Sequence, residues 1–230
     1  AALADDAVSN AVNIPGIAPE DIALLGPYIS LAEKLGALAF ALAAPHVNRL
    51  ECTYRGRLAE RDTRLLTLAA LSGAFTGRVG QRVNLVSASV MARDRGVEVR
   101  EESTSVSPDF TSLIEVQAVG DDRDALVAAT ITGERNRSRL VHALGYEIEL
   151  ELDPYMVFII NEDYPGVIGS VATTIGDAAI NIATMAVSRN RRGGRALMAI
   201  STDTGPAPDV LDALRDLPGI ADVRLISLEQ

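Results

Sequence analysis

The last third of the sequence alternates between strand and helix periods in an order that few folds can absorb. "YMVFIIN" (155–161) is an apolar run with the length of a buried strand. Pro165 stands where it can open a helix, since its missing N–H would have no intrahelical partner there anyway. Apolar residues then recur at Val167, Ile168, Val171, Ala172 and Ile175, the spacing of a helix with one buried face. "INIATMAVS" and "RALMAIST" read as two strands joined by "RNRRGG", a hairpin turn supplied by Gly193 and Gly194. Helical spacing returns at Val210, Leu211, Leu214 and Leu217, and Pro218-Gly219 turns the chain into a last strand, "IADVRLISL". The order βαββαβ predicts a ferredoxin-like sandwich, an antiparallel sheet with helices on one face.

The preceding residues are less regular. Residues 1–25, with "NAVNIPGIAPED", read as an extended, Pro-punctuated segment, and "GPYISLAEKLGALAFALAA" as a helix with Pro27 near its start. "HVNRLECTYRGRLA" alternates as a strand with Val47, Leu50, Cys52 and Tyr54 inward. "RDTRLLTLAALSGAFTG" and "RVNLVSASVMARDRG" read as helices, the second ended by Gly96. "VEVREEST", "SLIEVQAV", "ALVAATITG" and "GYEIELEL" read as strands. Residues 26–152 are therefore expected to form one α+β domain with a sheet of four or five strands. Residues 153–230 form the second domain, entered through the short link "DPY".

Composition narrows the chemistry. Aromatic residues make up 4% of the 230 and tryptophan is absent, so Ala, Val, Leu and Ile must build the core. Cys52 is alone, which excludes an internal disulfide and an all-cysteine metal cage, and neither His46 nor His142 has a second ligand at metal spacing. No metal site is expected. The net charge is −10, and both parts are acidic: residues 1–153 carry 15 basic and 22 acidic side chains, residues 154–230 carry 6 and 9. That balance argues against a nucleic-acid groove. The apolar stretches, such as "LGALAFALAA", fall short of the roughly 20 residues of a membrane span, and no signal peptide is visible. A cytoplasmic address without membrane or nucleic-acid partners is the expectation. The first residue is Ala, which fits a processed protein or a piece of a longer one.

The stretch "NEDYPGVIGSVATTIGDAAINI" (161–182) carries the candidate site. The N–H groups at the start of the helix after Pro165-Gly166 lack intrahelical partners and sit at the positive end of its dipole, so Gly166, Val167 and Ile168 offer donors to a carboxylate. Gly166 has no Cβ to hold a ligand away from the backbone. Asp163 suits an ammonium group, and the Asn181 amide can donate and accept. The plainer alternative is that Asp163 caps the helix and Asn181 satisfies a bend.

"NEDYPGVIG" followed by "GDAAINI" resembles the ACT domain, a βαββαβ amino-acid sensor, over residues 154–230. Upstream, "NAVNIPGI", "LAEKLGALAFAL", "YRGRLAERDTRLLTLAALSGAF", "VNLVSASVMARDRG" and "STSVSPDFTSLIEVQAVG" resemble the C-terminal part of long-form D-3-phosphoglycerate dehydrogenases. In that family the end of the substrate-binding domain is followed by an intervening regulatory domain and then an ACT domain. The resemblance implies residues 1–25, 26–152 and 153–230 for these parts. It implies a homodimer through paired ACT domains, with a tetramer as the larger assembly. It also implies feedback control by L-serine, or a similar small amino acid, bound between Asn161, Asp163, Gly166, Val167 and Ile168 of one subunit and Asn181 of the other. Tyr164 stands where the family has Arg, and Ala179 where it has Gly.

Some relatives also bind anions at the intervening domain. Arg139 falls at one such position, but Glu147 and Glu151 fall where basic groups are expected. "RNRSR" (135–139) remains a candidate anion site if Arg135, Arg137 and Arg139 share one face of an extended run. "RNRRGGR" reads as a solvated hairpin tip, and "AVSRN" as an ordinary strand end. No GxGxxG occurs and no catalytic constellation is visible, so NAD and the oxidation of 3-phosphoglycerate are expected to belong to the parent enzyme. A free-standing amino-acid-binding module that regulates another enzyme in trans is the alternative expectation.

Overall fold

The computed structural model describes residues 19–76 and 83–228. The chain divides into two compact units, Ala1–Ser138 and Arg139–Gln230.

In the first unit, helix α1 (Pro19–Leu42) is followed by strand β1 (Val47–Gly56), a 3-10 turn (Arg57–Glu60), helices α2 (Arg64–Phe75) and α3 (Leu85–Asp94), and strands β2 (Glu98–Thr104), β3 (Ser112–Gly120) and β4 (Ala125–Thr132). The strands lie in the order β2-β1-β3-β4, with β1–β2 parallel and the other pairs antiparallel. On β1 the inward positions are Val47, Leu50, Cys52 and Tyr54, as the alternation predicts. α1 begins earlier than expected. Residues 19–25 are helical, so the extended reading fails there, while residues 1–18 lie outside the described residues. Pro19 takes the first helical position, where a missing N–H costs nothing. Pro27 instead falls inside the helix and forfeits one backbone bond. Burial of Leu25, Leu31, Leu35, Leu38 and Leu42 offsets that loss. Leu25–Leu42 is long and apolar enough by composition to cross a membrane, contrary to the sequence reading. Here it is a core helix packed on α2, β3 and β4.

A chain of hydrogen bonds from the buried Tyr54, Thr63 and Thr67 hydroxyls to the exposed Glu101 carboxylate ties α2 to β1 and β2. The hydroxyls of Thr63 (2.7 Å) and Thr67 both donate to the Glu101 carboxylate. Thr67 has a single proton, so the Tyr54 hydroxyl, 2.8 Å away, donates to Thr67. Cys52 sits in the same layer, and burial pushes its thiol up to about 12.

The unit boundary falls within β5 (Arg137–Ala143), which forms a hairpin with β6 (Tyr146–Glu151) through Leu144 and Gly145. Both turn residues have positive φ, 54° and 83°, the backbone of a two-residue hairpin turn. β5 is one strand more than the sequence reading allowed. Its charged start and a leucine at a left-handed position hid it.

The rest of the second unit is the predicted βαββαβ: β7 (Tyr155–Glu162), α4 (Val167–Asp177), β8 (Ile182–Arg189), β9 (Arg195–Thr202), α5 (Pro208–Arg215) and β10 (Ile220–Ser227). The sheet order β10-β7-β9-β8, antiparallel throughout, is ferredoxin-like. Val157, Ile159, Met198, Ile200 and Val223 of the sheet pack against Val167, Val171 and Ile175 of α4 and Leu214 of α5. The opposite face is also buried at Met156, Phe158, Leu197 and Ala199, which explains why β7 reads as a continuous apolar run. Within this unit β6 lies against β8 and β9.

Candidate functional site

β7, an interior strand, delivers Asn161 and Glu162 to one end of the sheet, and Asp163-Tyr164-Pro165-Gly166 carries the chain into α4. Gly166 is the N-cap, with φ 103°, a conformation that L side chains rarely adopt. A Cβ built there would meet nothing within 4 Å, so backbone conformation, not crowding, calls for glycine, and the space beside it is open. No side chain caps α4. Asp163 therefore does not do so, and the first-turn donors remain available for an anion. Val167 is buried and contributes its backbone, while Ile168 is 47% exposed.

Asp163 is already engaged. Its Oδ2 accepts from Arg189 Nη1 at 3.0 Å and from the Gly193 N–H at 3.2 Å, and its own N–H donates to the Gly194 carbonyl at 2.9 Å. The Arg189 guanidinium, and then the Gly193 N–H, hold its carboxyl below the usual carboxylate range. The carboxylate thus clamps the tip of the β8–β9 hairpin, leaving Oδ1 for another donor. Tyr164 is fixed from the other side. Its hydroxyl donates to the Pro218 carbonyl at 2.7 Å, and its ring lies over Gly219, where a Cβ would fall 2.5 Å from the Tyr164 oxygen.

Asn161 is 3% exposed. Its Nδ2 donates to the Glu162 carbonyl at 2.7 Å, but Oδ1 is buried with no partner. Alternation with Val157 and Ile159 puts this acceptor on the α4 face, and an unmet buried acceptor costs about 1–3 kcal/mol.

Asn181 sits elsewhere. It is exposed, immediately before β8, and its amide donates to Asp203 Oδ2 at 2.8 Å. The register pairs Ile182 with Thr202, and Thr202 with Tyr155, at one end of the sheet; at the other end Arg189 and Asn161 both pair with Ala196. Asn181 and Asp163 are thus a strand length apart, roughly 25 Å. One chain brings Asn161, Asp163, Gly166, Val167 and Ile168 together and leaves Asn181 at the far end.

The candidate basic face of "RNRSR" does not assemble as one extended run. Arg135 lies in the turn before β5 and Arg137 is exposed at its start. Arg139, half-buried, pairs with Glu149 at 4.0 Å and stands opposite Glu151 in register. Arg189 is the residue that sequence reasoning missed. It closes β8 as an ordinary strand end would, and only the strand register brings it to Asp163.

Residues 24–143 match the model of the D-3-phosphoglycerate dehydrogenase intervening domain. The chain belongs to that family. Residues 155–219 match the ACT domain. The chain is 34% identical to the D-3-phosphoglycerate dehydrogenase of Archaeoglobus fulgidus, over 96% of its own length and 42% of the relative's. The corresponding figures are 34%, 96% and 42% for the Bacillus subtilis enzyme, and 32%, 93% and 40% for that of Mycobacterium tuberculosis. The chain thus spans about two-fifths of these relatives and carries the intervening and ACT domains.

Proposed function

We propose that the chain is the regulatory portion of a D-3-phosphoglycerate dehydrogenase of serine biosynthesis. In this reading it senses L-serine, or a similarly small amino acid, at a site shared by two copies of its ACT domain. The observation that carries the reading is the placement of the Asp163 turn and Asn181 at opposite ends of β8, an edge strand of its sheet. Antiparallel pairing of β8 with its copy about a two-fold axis puts Asn181 of the second copy beside the Asp163 turn of the first. The uncapped start of α4 then receives the ligand carboxylate, and the free oxygens of Asp163 and Asn161 receive its ammonium. The start of α4 and the Asn161 acceptor lack partners in the single chain, and the ammonium shares Asp163 with Arg189. Dehydrogenation with NAD belongs, on this reading, to the remainder of the parent enzyme, since no GxGxxG is present here to seat a dinucleotide.

Calorimetry with each of the twenty amino acids tests the ligand; no heat from any of them sinks the proposal. Asp163→Ala and Asn181→Ala each abolish binding. A shared site has a further signature: mixing the two variants restores binding, because each mixed dimer holds one site with both residues intact. Failure of the mixture to recover heat, or a monomer in sedimentation with ligand present, rules out the two-copy arrangement.

A further inference from the structure

The hairpin tip that sequence reasoning set aside as solvated lines a cavity of about 750 Å³, within the size range of small-molecule sites. Its walls come from Tyr146 at the start of β6, Glu162 and Asp163 at the end of β7, and Asn190, Arg191 and Arg195 around Gly193-Gly194. Alternation along the strands gives its side of the sheet. Arg195 shares parity with Leu197 and Ala199, and Glu162 with Met156 and Phe158, so both point away from the α4 face. The cavity therefore opens on the face opposite the start of α4 and shares with it only the Asp163 turn.

Its electrostatics run against those of the chain. Asp163 is neutralised by Arg189 and the Gly193 N–H. Arg191 and Arg195 make no ion pair or side-chain hydrogen bond among the described residues, and neither does Glu162. Glu162 stands directly opposite Arg195 in the β7–β9 register, with no ion pair closed between them, so the lining sets two guanidiniums against one carboxylate in a chain of net charge −10. Gly194 gives Arg191 its position: a Cβ there would lie 2.9 Å from Arg191 Cγ and 3.2 Å from Nε, so the arginine stem folds back over the tip only because glycine leaves room. Tyr146 is buried, and its hydroxyl has no partner among the described residues.

We infer that this cavity binds a small molecule through an oxyanion group, a carboxylate or a phosphate, held by Arg191 and Arg195. Guanidinium forks take such groups through paired hydrogen bonds. The Tyr146 hydroxyl and the Asn190 amide supply further donors. Glu162 restricts the ligand to a compact oxyanion, because a polyanion would meet its charge.

Calorimetry on the full chain with inorganic phosphate and, separately, acetate tests this. Saturable binding of phosphate alone assigns a phosphate group, of acetate alone a carboxylate, and of both the shared oxyanion chemistry. Arg191→Ala and Arg195→Ala should each weaken binding about tenfold or more. Arg191→Lys, which keeps the charge and loses the fork, should fall between these and the parent. Tyr146→Phe should weaken binding severalfold with the fold intact. Arg192→Ala, at the same tip but outside the cavity lining, should change it less than about twofold. An equal loss on Arg192→Ala, which would mean diffuse charge, overturns the assignment. So does the absence of saturable heat up to about 50 mM of either ion. Asn181→Ala should leave oxyanion binding unchanged, so this site and the amino-acid site fail or stand separately.

Discussion

Gly36 of α1 and Gly73 of α2 set how closely the two helices approach, and alanine at either position tests this by the sign of the stability change. A Cβ on Gly36 would lie 1.8 Å from the Ala70 carbonyl oxygen, and one on Gly73 would lie 1.9 Å from that of Glu33. Real Cβ contacts almost never fall under 3.0 Å, so the helices must part by about 1.2 Å at Gly36. Both obstacles are backbone, and no rotamer change relieves them. Parting by that much forfeits about half of each dispersion contact it opens. The contacts at stake include the edge-on Phe40–Phe75 pair, whose ring centres lie 5.6 Å apart.

Helix propensity opposes this loss, since alanine gains about 1 kcal/mol over glycine in a helix interior. Overpacking costs about 1–3 kcal/mol, and a backbone obstacle belongs at or above the upper end. Each single substitution should therefore destabilise by about 2 kcal/mol net. With a slope of about 2 kcal/mol per molar, the urea midpoint followed by circular dichroism falls by about 1 M. The double variant should lose less than twice that, because helices parted for one methyl already accommodate the other. Gly169→Ala in α4, where nothing lies within 4 Å, should instead stabilise by about 0.5–1 kcal/mol. If Gly36→Ala also stabilises, or the two losses add in full, the close crossing does not govern this pair.

Asp163 should titrate below an ordinary aspartate, and Arg189→Ala should raise its pKa toward the usual range, as read by carboxyl NMR. A carboxylate depressed in the folded state contributes its stability fully above the unfolded pKa and loses it as pH falls through the folded value. Gly193 amide protection should therefore fall on acidification; protection independent of pH over that window would contradict the clamp. Cys52, buried with its thiol pushed up to about 12, should resist a thiol reagent at pH 8 in the folded chain and react at once in denaturant. Full labelling of the native chain within minutes would refute its burial. Tyr54→Phe removes one hydrogen bond and should cost about 1 kcal/mol, because Thr67 can still donate to Glu101; a neutral result in urea would show that the bond carries no net stability.

What the sequence made legible follows from the range of the interactions involved. The βαββαβ order was readable because each element declares its period locally, and Pro165, Gly193 and Gly219 punctuate it. β5 was missed because its turn uses Leu144 at positive φ, a position whose usual residues are Asn, Asp or Gly. α1 starts at Pro19 and not at Pro27; both prolines are good helix openers locally, and residue type alone does not choose between them. The same distinction governs the site. Residue type nominated Asp163, Gly166 and Asn181, and the open space at Gly166 agrees with that nomination. Strand register, invisible in one sequence, decides that Arg189 reaches Asp163 and that Asn181 lies a sheet length away. An ammonium ligand must therefore share Asp163 with a guanidinium already in place. Removing Arg189 should raise affinity if the two cations repel, and lower it if the guanidinium is what holds the carboxylate in position. The calorimetric sign for Arg189→Ala separates a competitor from a scaffold.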